Sequence, residues 1–123
     1  MAIDIEAMAN EMIFNLGEEL SDGWDKISAF QQNQASLIAK QAALIAQLKV
    51  MGNVADDETI EFLTEQLKDK VENFAKVIAN LSALTLEKAW NAAVGVFWNA
   101  INKALTGAGL VALPIPDFQA DNT

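Results

Sequence analysis

A chain of 123 residues with seventeen acids, eight lysines and no arginine, histidine or cysteine carries a net charge of −9. Those absences exclude whole chemistries: no guanidinium fork for phosphate or guanine, no imidazole base or ligand, no thiolate and no disulfide. Nucleic-acid binding is therefore not expected, and a hydrophobic content of 52% with a mean hydropathy of +0.17 implies apolar surface hidden against copies or partners.

One domain is expected at this length. The first residues lack the basic and apolar regions of a secretory leader, and no run of about 18 apolar residues occurs, so neither export nor a bilayer span is expected. Cytoplasmic synthesis or association with a virion is the matching expectation for location.

Ile5, Met8, Ala9, Met12, Ile13, Leu16 and Leu20 recur at helical spacing and predict a first helix of about four turns. Around it Asp4, Glu6, Glu11, Glu18, Glu19, Asp22 and Asp25 precede the first base, Lys26. Such a field is a solvated face or, in an adaptor, a docking surface for a basic partner. Ser21, Asp22 and Gly23 predict a break, with Ser21 or Asp22 capping the next helix.

Residues 23–51 predict the central helix. Ile27, Phe30, Gln34, Leu37, Gln41, Leu44, Leu48 and Met51 alternate steps of three and four without a slip, the seven-residue repeat of a helix lying along other helices. Ile38 and Ile45 widen that seam to a core-facing stripe. The back is small and neutral: Ala35, Ala39, Ala42, Ala43 and Ala46 sit where charges are usual, and Lys40 is the only charge between Lys26 and Lys49. The large seam is expected to face the core, and the alanine back to take a second copy. Gln34 and Gln41 on the seam read as register-setting amides or as residues of a wet bundle edge.

Gly52 and Asn53 stop this helix, and Asp56, Asp57 and Glu58 put carboxylates at the positive start of the next, with Asp56 as its cap. Ile60, Leu63, Leu67, Val71, Phe74, Ile78 and Leu81 form its stripe, and Glu72 with Lys76 is a favourable pair on its wet face.

Ser82 or Thr85 caps a last helix whose inward face is Leu86, Trp90, Val94, Phe97, Trp98, Ile101 and Leu105. Its outer face carries Asn91, Gly95, Asn99 and Asn102. The tryptophans read as core; the competing reading places them in a bilayer headgroup region, with Asn91, Asn99, Asn102, Gln34 and Gln41 lining a lumen. Thr106 to Gly109 end the helix. Leu110, Leu113, Ile115 and Phe118 then lie on an arm that Pro114 and Pro116 keep extended, and a neighbouring subunit's groove is its expected acceptor.

The expected fold is all-α: an antiparallel bundle of three long helices and a shorter N-terminal one over residues 1–106, with an extended arm over 107–123. No catalytic, cofactor or metal site is expected, because no carboxylate falls in an apolar stripe and no phosphate loop or nucleophile elbow occurs. The expected function is a non-enzymatic structural subunit, a homo-oligomer or part of a larger assembly such as a phage virion, that self-associates through neutral helix faces and the arm. A membrane-active helical protein and a small acidic adaptor are the alternatives.

Overall fold

Hydrophobic stripes turn the last two helices inward, whereas on the central helix, apolar on both sides, side-chain volume decides which face is inside. The computed structural model describes residues 4–52, 56–81 and 84–117. Among them the elements are α1 (Ile5–Leu20), α2 (Asp22–Lys26), α3 (Ala29–Met51), α4 (Asp57–Leu81) and α5 (Leu86–Gly107), packed as an all-α bundle.

Each longer helix begins on a side chain that takes one of its free N–H groups. Ala7 donates to Asp4 Oδ1 at 3.1 Å, Gln31 to Ser28 Oγ at 3.3 Å, Thr59 to Asp56 Oδ1 at 2.8 Å and Lys88 to Thr85 Oγ1 at 3.2 Å. Hydrogen bonding from Thr59, through its side chain first and then its backbone, holds the Asp56 carboxyl below the usual carboxylate range. The central helix therefore starts at Ala29 and not at residue 23. Ile27 leaves the helical region at φ −87° and ψ 156°, Ser28 becomes the cap, and Asp22–Lys26 is a separate short helix. The joint between α1 and α2 is strained: Ser21 has φ 48° and ψ −117°, a conformation suited to glycine. Gly52, at φ 76°, ends α3, while Asn53 and Ser82 lie outside the described residues.

Helices α1 and α4 each pack on both α3 and α5, and α3 and α5 pack on each other. The central pair is thus pressed by neighbours on both flanks. What α3 places there is small: Ala35, Ala39, Ala42, Ala43 and Ala46 are wholly shielded from solvent, joined by Ile38 and Ile45. Bulk comes from the neighbours, with Met12 and Leu16 from α1, Leu67, Phe74 and Ile78 from α4, and Trp90, Phe97 and Trp98 from α5. Small residues let helix axes approach, and large side chains of adjacent helices fill the space at interior density.

This inverts the expected orientation of the central helix. Of the stripe expected to face the core, Ile27, Ile38 and Ile45 do so, but the large residues of the seam along α3 point outward, leaving Phe30 64%, Leu37 59%, Leu44 42% and Met51 47% exposed. A hydrophobic pattern cannot separate two apolar faces; the face with less volume went inside because three helices meet it.

The aromatic stripe of α5 is core: Phe97 and Trp98 are fully buried and Trp90 nearly so. No helix of the described residues is long and apolar enough to cross a membrane. Among the described residues the indole N–H groups of Trp90 and Trp98 are buried without an acceptor. An unsatisfied buried donor costs about 1–3 kcal/mol, comparable to the loss from trimming a ring. Trp98→Phe, which removes the donor and keeps an aromatic ring, is expected to change stability by no more than about 1 kcal/mol, whereas Trp98→Ala loses about 3–5 kcal/mol. Urea denaturation of both variants checks this; equal losses would mean that the indole N–H is satisfied.

Candidate functional site

The orientation of α3 leaves a continuous seam at the surface. Phe30, Leu37, Leu44 and Met51 recur every seven residues along its outer side, and Gln34, Gln41 and Leu48, half-buried, alternate with them. Seven-residue spacing keeps such positions in one line along a helix. Between Asp25 and Asp56 the chain has no acid at all, so α3 contributes no carboxylate to this surface. Lys40 is exposed beside it, and Lys49 is drawn to Asp57 at 3.6 Å across the α3–α4 junction.

The seam glutamines lie at the junction with α4. Lys70 Nζ donates to Gln41 Oε1 at 2.6 Å, and Gln34 borders a shallow groove of about 240 Å³ with Leu37, Asn73 and Val77. Neither is in the chain's core. Gln47 is different, with its Oε1 buried and unpartnered and its Nε2 3.8 Å from Met51 Sδ.

The alanine back cannot take a second copy in the folded chain. Ala35, Ala39, Ala42, Ala43 and Ala46 are covered by the chain's own helices, because closely packed interior positions accept little more than a methyl group.

The arm also departs from expectation. A helix-ending motif turns the chain at Gly109, φ 81°, where Gly109 N–H donates to Thr106 O at 3.0 Å and Leu110 N–H to Leu105 O at 2.8 Å. Asn102 then holds the arm as a strand partner would. Its Oδ1 accepts from Leu113 N–H at 2.7 Å and its Nδ2 donates to Leu113 O at 3.0 Å. Leu110 and Leu113 pack half-buried on the core of the same chain, Ile115 is exposed, and Phe118 lies outside the described residues. As far as Leu113 the arm therefore leans on its own chain, where an eleven-residue closure carries a small entropy loss and one amide side chain satisfies both backbone groups.

Asn102 is thereby parted from Asn91 and Asn99, which line an open groove of about 720 Å³ between α1 and α5. Gly95, Ala92 and Ala100 make it deep; Glu11, Asn15, Glu18 and Glu19 form the α1 wall, and Lys103 is the one base lining it. The predicted amides thus fall into three separate places and line no common channel. No group of three or more acids could share a metal ion among the described residues, and no described polar or charged side chain is buried.

No family model, no curated protein and no solved structure matches this chain.

Two substitutions test these placements. Ala39→Glu puts an unpaired carboxylate into a fully shielded position and is expected to remove about 3–5 kcal/mol, a large share of a small domain's stability. Thermal melting by circular dichroism reads this, and an unchanged melt would contradict the buried alanine face. Asn102→Ala is expected to cost about 1–2 kcal/mol and to release the Leu113 amide to fast hydrogen exchange; retained protection there would show that packing alone holds the arm.

Proposed function

We propose that the protein is a non-enzymatic assembly subunit, a small helical scaffold whose outer apolar surface is covered by other protein. One observation carries this reading: no polar side chain of the described residues is buried, while Phe30, Leu37, Leu44 and Met51 stand in line on the outside. Scattered exposed hydrophobics are ordinary, but a contiguous line of large ones marks a contact surface. The chemistry supports the same reading. Without histidine, cysteine or arginine, and with no described carboxylate buried, the chain lacks a group tuned for proton transfer or nucleophilic attack. The proposal covers a homo-oligomer and a larger particle built by self-association of this subunit, a phage virion being one such particle.

The acidic wall of the α1–α5 groove favours a second reading, an adaptor for a basic partner. Salt separates the two, since apolar association persists where attraction between surface charges is screened. Light scattering over a concentration series is expected to give a mass above the 13.3 kDa of one chain, little changed by about 0.5 M salt. A mass fixed at 13.3 kDa throughout would remove the assembly reading in favour of the adaptor.

A further inference from the structure

We infer that the outer seam of α3 is the contact surface for a second copy of this chain, laid helix against helix about a two-fold axis. This rests on the assembly reading and names its partner. The first reason is self-complementarity, which a two-fold contact demands of its surface. Because Phe30, Leu37, Leu44 and Met51 are evenly spaced by seven, the line matches itself in either direction. Run antiparallel, Leu37 meets the partner's Leu44 and Phe30 meets the partner's Met51; run parallel, each residue meets its own image. Large apolar residues on such a repeat interlock as knobs into holes.

Charge gives the second reason. Two copies each carrying −9 repel wherever their carboxylates face one another, as they do along α1 and the outer side of α4. The seam is the stretch from which acids are missing, between Asp25 and Asp56. A basic partner is drawn to the carboxylate faces, whereas a like-charged copy approaches best where there are none.

Area gives the third. The four large side chains expose on the order of 400 Å² per copy, and the half-buried Gln34, Gln41 and Leu48 beside them bring the patch toward the roughly 600 Å² per partner at the low end of specific interfaces. Hydrogen-bonded Gln41 then belongs to the polar rim that surrounds an apolar centre.

The test compares the full chain with Leu37→Lys/Leu44→Lys and with Phe14→Lys, an exposed apolar position on α1 off the seam, by light scattering and far-ultraviolet circular dichroism. The parent and Phe14→Lys are expected at twice the 13.3 kDa chain mass. The double variant is expected at the chain mass with unchanged helicity, its dissociation constant raised by about 100-fold or more, since two ammonium groups would have to be desolvated at the centre of the contact. If the lysines disturb the fold, Leu37→Gln/Leu44→Gln replaces them and is held to the same result. A double variant that keeps the parent's mass would overturn the seam as the contact and leave assembly through another face standing. A parent that stays at the chain mass at every concentration would overturn the seam and the assembly reading together.

Discussion

The contact between α3 and α5 lies at the centre of the bundle, because α1 and α4 each pack on both members of that pair. Two helices flanked by α1 and α4 on both sides have little room for side chains of their own where they meet. Alanine at positions 35, 39, 42, 43 and 46 answers that on one helix. The other supplies Ala89 and Ala93 together with Trp90, Phe97 and Trp98, so most of the bulk between the pair comes from α5. Once the methyl face of α3 is committed to the interior with Ile38 and Ile45, the large residues on its opposite side, Phe30, Leu37, Leu44 and Met51, are left outward. The exposed seam is thus a consequence of how the core is packed, and not a defect at its edge.

Much of this architecture was legible in the sequence, and the limits of the reading are physical. Periodicity located the long helices, and Asp56 and Thr85 were readable as caps because a short acceptor three residues before a free N–H is a local arrangement. The start of α3 was missed: Ser28 and Gln31 stand in the spacing of a capping box, but the seven-residue pattern running back through Ile27 led the helix to be placed from residue 23. The facing of α3 was not legible. Both its faces are apolar, and the choice depended on volumes contributed by three other helices. For the same reason the alanine back was read as a surface.

The arm failed in another way. Its apolar residues called for burial, but nothing in one sequence says that Asn102 will turn its amide toward a backbone eleven residues later. Side-chain direction on a helix follows from its axis, whereas the path of a proline-containing segment follows from what it finds to lean on. The surface seam did leave signals: the strict repeat itself, and thirty positions without an acid in a chain that has seventeen. Taken together they mark a face that is neither core nor ordinary wet surface.

That uneven placement of charge also bears on how the chain behaves as a colloid. Net charge is usually taken as one number that keeps molecules apart, but here the repulsion is mounted on α1 and α4 and absent from α3. At neutral pH the acidic flanks act as bumpers that orient collisions. Near the isoelectric point of about 4.2 the chain's net charge vanishes and with it the net repulsion between copies, while α3 still carries no acid. Acidification therefore leaves the bare face as it was and removes the directional restraint everywhere else, so the exposed Phe14 and Phe62 become as accessible to collisions as the seam itself.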